Sequence, residues 1–261
     1  MPKLGPASAH GLSETLPAKI AGALAEGIVS GRYQPGERLV EAALVKEFGV
    51  SHGPVRDALR ILQSSGLVHI HPYRGGQVSA LSVREVKEIY QVRAALVGLR
   101  ARWIAEDPDR AGLIAQVEAS VERLSELAPS ADAAGEYIGV ALSLNRMLTE
   151  NLSNRWLRSM LQALTLQTSR YTRLALATAE RRAESARLWR TLVDAIKGGD
   201  GDGAEAIAST ISLATRDAAI RSLQERDQMT LMESATPETA SEAAPAQAAA
   251  APRKNQTGPQ S

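Results

Sequence analysis

The sequence predicts a mainly α protein in two parts: short helices closed by a hairpin, then an antiparallel six-helix bundle. Three observations carry this. Apolar side chains recur at three- and four-residue spacing along most of the chain, as on amphipathic helices. A short stretch near residue 70 alternates with period two ahead of a Gly-rich turn, as a hairpin does. The 261 residues are 44% hydrophobic and 23% charged, ordinary values for a globular chain with a buried core.

Residues 1–12, rich in Pro, Gly, Ser and Ala, read as a loose arm before a first domain over 13–81. Ile20, Leu24 and Ile28 mark its first helix, which stops at Ser30-Gly31; Pro35-Gly36 makes a turn. A second helix runs from about Val40 to Phe48 and turns at Gly49. Ser51 is placed as the N-cap of a third, with Pro54 tolerated in the first turn, where its missing N–H has no partner to lose. Val55, Ala58, Leu59 and Leu62 form the inward face of this helix, and Ser65-Gly66 ends it. Val68-His69-Ile70-His71 alternates as a strand with both histidines outward. Pro72 to Gly76 supplies a turn, and Gln77-Val78-Ser79 begins the return.

The second domain, 82–227, opens on Ser82 and Glu85 at capping-box spacing. Ile89, Val92, Leu96, Leu99 and Trp103 then form the expected seam of a long helix. Further stripes fall at Leu113/Val117/Val121/Leu124, Tyr137/Val140/Leu144/Leu148, Leu157/Leu161/Leu164/Thr168/Tyr171, Trp189/Leu192/Val193/Ile196 and Ile207/Ile211/Ala214/Ala218. Six such helices on short connections imply an antiparallel bundle. Residues 228–261 close the chain as an Ala- and Pro-rich segment poor in large apolar side chains, for which disorder is expected.

Composition excludes several functions. There is no cysteine, which removes disulfides, thiolate metal sites and cysteine nucleophiles. The four histidines are His10, His52, His69 and His71, so nothing after residue 71 carries an imidazole. No paired carboxylates or nucleotide-binding glycine loop appear there either, and the chain is read as no enzyme. No apolar run reaches membrane-spanning length, and the N-terminus lacks a signal-peptide core, so a cytoplasmic protein without membrane contact is expected. With 30 Lys and Arg against 29 Asp and Glu, any nucleic acid must be attracted by local placement rather than bulk charge.

Helix, helix, turn, helix and a Gly-tipped hairpin make a winged helix-turn-helix. With its apolar side inward, the third helix leaves Ser51, His52, Gly53, Arg56 and Arg60 toward solvent. A recognition helix reads base edges with its N-terminal residues, and its free N–H groups favour phosphate. Arg56 suits a bidentate pair with guanine or a phosphate contact, and Arg74 at the hairpin tip suits the DNA backbone or minor groove.

The stretch from Ile28 to Val78 resembles the DNA-binding domain of GntR-family bacterial transcription factors. The resemblance is carried by Gly31-Arg32, Pro35-Gly36-Glu37-Arg38-Leu39, Gly49-Val50-Ser51, Pro54-Val55-Arg56, Ala58-Leu59, Gly66-Leu67-Val68 and Arg74-Gly75. It implies DNA contacts by Ser51, His52, Gly53, Pro54 and Arg56, and by Arg74 and Gly75 of the wing. Where the family has arginine this chain has His52, a weaker hydrogen-bonding substitute. The helical part is similar to the FCD (FadR C-terminal) group, in its six-helix VanR-like variety, on Arg93 to Leu96, Asn145 to Leu148, Ser153-Asn154, Asp194 to Ile196, Gly199-Asp200 and Ala204. That resemblance implies a homodimer on an inverted-repeat DNA site and a small-molecule effector, often an organic acid.

Many members of that group hold a divalent metal through an aspartate and three histidines. Those positions fall here at Ala141, Asn145, Trp189 and about Ile211, so no such metal site, and no cofactor, is expected. For the effector the candidates are Arg93, Asn145, Arg170, Arg173 and Trp189, with a guanidinium clamping an anion directly. The alternative is a DNA-binding regulator whose helical domain only dimerises and senses no ligand.

Overall fold

The computed structural model describes residues 15–71 and 75–235. In order these form α1 (Leu16–Ser30), β1 (Arg38–Leu39), α2 (Glu41–Phe48), α3 (His52–Ser64), β2 (Val68–His71), β3 (Gly75–Val78), α4 (Val83–Glu106), α5 (Ala111–Leu127), α6 (Ala134–Glu150), α7 (Arg155–Ala175), α8 (Ala179–Gly198) and α9 (Gly201–Ala235). Residues up to Glu225 belong to one compact unit; the end of α9, from Arg226, belongs to a separate one. The expected arm at 1–12, the wing tip with Arg74, and the tail beyond Ala235 lie outside the described residues.

The first domain is a winged helix-turn-helix. Ile20, Leu24 and Ile28 of α1 meet Val55, Ala58, Leu59 and Leu62 of α3 in one core, closed by Leu39, Val68 and Val78 from the strands. Each fully buried Val or Leu contributes about 1.5–3 kcal/mol, so the inward face of α3 fixes which residues it shows to solvent. The strands differ from expectation in two ways. A third strand, β1, pairs antiparallel with β3, giving the order β1-β3-β2. The return also starts earlier, at Gly75, because His71 pairs with Gly75 and Ile70 with Gly76. Two residues of β1 are too short to show a period.

The second domain is helical throughout. Ser82 and Glu85 cap α4 reciprocally, as their spacing predicts. Asn154 caps α7 and Thr178 caps α8. The stripes of α5, α6, α7 and α8 point inward: Val117, Val121, Leu124, Tyr137, Leu144, Leu148, Leu157, Leu161, Trp189, Leu192, Val193 and Ile196 all lie in one core.

On two helices the most buried residues lie beside the expected stripe. On α4 the buried residues include Arg93, Ala94, Val97, Gly98, Arg100, Ala101 and Ala105, while Val92 and Trp103 of the expected seam are exposed. On α9 Ala204, Ala208, Ser212, Thr215 and Ala218 are buried, and Ile207, Ile211 and Ala214 only half-buried. The cause is close approach. A Cβ at Gly98 would stand 2.5 Å from Ser209 Oγ, and that hydroxyl donates to the Ala94 carbonyl at 3.0 Å. Small residues let α4 and α9 touch, while Leu96, Leu99, Ile207 and Ile211 of the expected stripes pack half-buried against the main core. α9 also continues to Ala235, past the boundary expected at 227.

Candidate nucleic-acid interface and effector cavity

Gly49, in the left-handed region, turns the chain between α2 and α3, and Ser51 precedes α3 in extended backbone. The Ser51 side chain makes no cap hydrogen bond, so its hydroxyl is unspent. Burial of Val55, Ala58, Leu59 and Leu62 leaves Ser51, His52, Gly53, Arg56, Asp57 and Arg60 exposed, with Pro54 half-buried. A Cβ at Gly53 would meet nothing within 4 Å, so the backbone of the first turn is open to close approach. Each cation on this face has an acidic neighbour. Arg56 Nε donates to Glu41 Oε2 at 2.9 Å, His52 Nδ1 lies 3.8 Å from the same oxygen, and Arg60 pairs with Asp57 at 3.1 Å. Glu41, at the start of α2, was not foreseen: its partner is fifteen residues away, and no local pattern links them. Gly75 has a structural reason to be glycine. Its φ is +77°, and a Cβ there would lie 2.9 Å from the Leu39 carbonyl oxygen of β1.

A cavity of about 30 Å³ lies in the helical domain, lined by residues of α4, α6, α7, α8 and α9. Arg93 and Arg100 enter it from α4, and Asn145 and Trp189 from α6 and α8. Arg100 donates to the Asn145 carbonyl at 3.1 Å and to Thr149 Oγ1 at 2.9 Å; Arg93 donates to Ser212 Oγ at 3.3 Å. Burial lowers the pKa of both guanidiniums, and the charge of Arg93 adds to the effect on Arg100, which falls to about 9.

The model of the gntR family of bacterial regulatory proteins matches residues 16–78, and the FCD domain model matches residues 88–214. The chain belongs to the GntR family. Its helical part is an FCD domain, and the chain is a transcription regulator of the DNA-binding kind. An uncharacterised HTH-type transcriptional regulator of Bacillus subtilis is 28% identical over 158 residues, which is 60% of this chain and 70% of that protein. The galactonate operon transcriptional repressor of Escherichia coli is 26% identical over 72% of this chain and 90% of its own length. These relatives are transcriptional regulators, not enzymes. Among solved structures, Escherichia coli McbR/YncC superposes with a TM-score of 0.65 at 19% identity, covering 84% of this chain and 99% of that one. A putative GntR regulator from Rhodococcus reaches 0.62 at 19% identity over 80% and 97%. Both show the fold alone.

Within this GntR chain, Ala141, Asn145, Trp189 and Ile211, the positions that resemblance assigns to metal ligands, all line the one cavity. Its donor set does not fit a divalent cation. The lining holds no carboxylate or imidazole and does hold two guanidiniums. Asn145 is also occupied, its Oδ1 accepting from Arg100 at 3.4 Å and its Nδ2 donating to the Ala141 carbonyl at 3.2 Å.

Of the five expected effector residues, Arg93, Asn145 and Trp189 meet at the cavity, whereas Arg170 and Arg173 are not in its lining. Arg170 donates to the Ser79 carbonyl at 2.7 Å and to the Tyr171 hydroxyl, holding the chain that leaves the wing. Arg173 is half-buried, with its Nε unpaired. Arg100 is the residue sequence reasoning missed. The signal was available: Arg93 and Arg100 lie seven residues, two turns, apart among Ala, Val and Gly. Elsewhere in the arginine-rich run, Arg182 is structural, donating to the carbonyls of Ala128, Ser130, Leu176 and Ala177. No helix among the described residues is long and apolar enough to cross a membrane.

Proposed function

We propose that the protein binds an inverted-repeat operator as a homodimer, with its affinity for DNA set by a small anionic effector in the helical domain and no metal or other cofactor. The observation that carries the reading is the exposed N-terminal end of α3, where Ser51, His52, Gly53 and Arg56 stand clear of the core. Ser51 and the open backbone at Gly53 suit phosphate; Pro54 stiffens the first turn of the helix; Arg56 and His52 suit base edges in the major groove. Arg60, a turn further on, suits the flanking phosphate, and Arg74 with Gly75 the wing contact. Exposed apolar side chains favour a second copy as partner: Val92 and Trp103 share a face of α4, and Trp156 and Met160 a face of α7. Such a protein works where its DNA is, in the cytoplasm.

Recovery of fragmented DNA from the source organism tests the reading. Enrichment of a short inverted repeat that Arg56→Ala loses is expected, with a cost of about 1–3 kcal/mol at the base it reads. Equal, salt-sensitive recovery of random fragments by both proteins would overturn sequence-specific recognition.

A further inference from the structure

The charge of the cavity is unbalanced. Arg93 and Arg100 are 7% and 2% exposed, and neither makes an ion pair among the described residues. A guanidinium carries five N–H donors. Arg93 makes one hydrogen bond, to Ser212, and the Nε of each arginine is buried with no partner. Tyr90 gives Arg93 only its ring face, 5.9 Å away. Two like charges thus line one cavity with donors unspent. An uncompensated buried charge is among the costliest features a fold can carry, and an anion would supply what both lack. The Ser212 hydroxyl, which accepts from Arg93, keeps its own O–H to donate, while Trp189 and Leu192 form an apolar wall. At about 30 Å³ the cavity is nearer the volume of water than of a dianion, so an occupant must be compact and must widen it.

We propose that Arg93 and Arg100 hold a compact oxyanion of two negative charges, inorganic phosphate or a dicarboxylate of similar size, directly and with no metal ion between. This deepens the reading of the helical domain as the effector domain and rests on it. A single carboxylate leaves one guanidinium unanswered, so the site discriminates by charge as well as by size.

The test uses the full chain, dialysed against a chelator into a phosphate-free, non-coordinating buffer. Thermal unfolding and titration calorimetry are run with phosphate, malonate, acetate and chloride at matched ionic strength. Phosphate or malonate should raise the unfolding midpoint by a few degrees and give saturable heat, and whichever does so names the source of the anion. Acetate and chloride should do neither, and added zinc or manganese should not strengthen binding. Arg93→Met and Arg100→Met should each weaken the dianion at least tenfold, with the helical circular dichroism signal confirming that the variants fold.

No response of the wild type to either dianion would overturn the site whether or not the variants fold. So would a response that needs metal, or one that survives both substitutions. Operator binding by the same wild-type sample, without added anion, separates the two readings. A protein that binds operator but takes no dianion loses this site only; one that takes the dianion but binds no operator keeps the site and loses the DNA reading.

Discussion

Glu41 holds Arg56 at 2.9 Å in the free protein, yet on DNA the same guanidinium would face a base or a phosphate. The Arg56 side chain is 61% exposed, and ion pairs so open to water are worth about 0–1 kcal/mol. Glu41 also places a negative charge beside the surface DNA must approach. Glu41→Gln should therefore tighten binding to the recovered operator by up to about fivefold in fluorescence anisotropy. Weaker binding would mean that Glu41 aims Arg56 rather than competing for it. Arg100 is the opposite case, a buried cation without an anion. Arg100→Met should raise the stability of the anion-free protein, by about 1–4 kcal/mol in urea unfolding. The sign with pH follows from its lowered pKa of about 9. Above that pH the folded chain releases a proton that the unfolded chain keeps, so wild-type stability gains as pH rises. The advantage of the variant should be full below pH 9 and shrink above it.

Among the elements, α5, α6 and α8 were legible because large apolar residues mark their buried faces. On α4 and α9 only part of the buried face was, because around Ala94, Gly98 and Ser209 the two helices meet through small residues, which no hydrophobic stripe reveals. Periodicity on α4 instead picked out Val92 and Trp103, which are exposed. The same blindness hid Arg100, since a long cationic side chain is normally assigned to solvent. The exposed end of α3, by contrast, followed directly from its apolar spacing, while its acidic partner Glu41 came from another helix and left no local trace. A substitution tests the packing argument. Gly98→Val would drive side-chain atoms into Ser209 and Glu205 and should cost about 1–3 kcal/mol. Gly139→Ala on α6, where a Cβ meets nothing within 4 Å, should instead gain about 0.5–1 kcal/mol. Equal outcomes in denaturant titrations would sink the close approach of α4 and α9.

At the scale of the whole molecule, α7 touches both the cavity and the chain that leaves the wing. Thr172 and Leu176 line the cavity. One and two residues before Thr172, the Tyr171 hydroxyl accepts from the Leu81 N–H at 3.1 Å and Arg170 donates to the Ser79 carbonyl. Tyr90 joins the two, with Arg93 over its ring and its hydroxyl donating to the Thr168 carbonyl of α7 at 3.4 Å. An anion that drew Arg93 and Arg100 together would act on α7 through Tyr90, and α7 holds the segment that leads from the wing. Effector and operator then bias one another only if α7 holds Ser79 and Leu81 differently with the cavity filled. Coupling of this kind is typically about 1–3 kcal/mol, a ratio of roughly 5–150 between operator affinities with and without ligand. Tyr171→Phe removes the hydroxyl that receives both Leu81 and Arg170, at a residue that does not itself line the cavity. The variant should bind the dianion within about twofold of wild type, since the cavity is intact, while the ratio of operator affinities falls toward one. A variant that keeps the full ratio would show that the signal leaves the cavity by another helix.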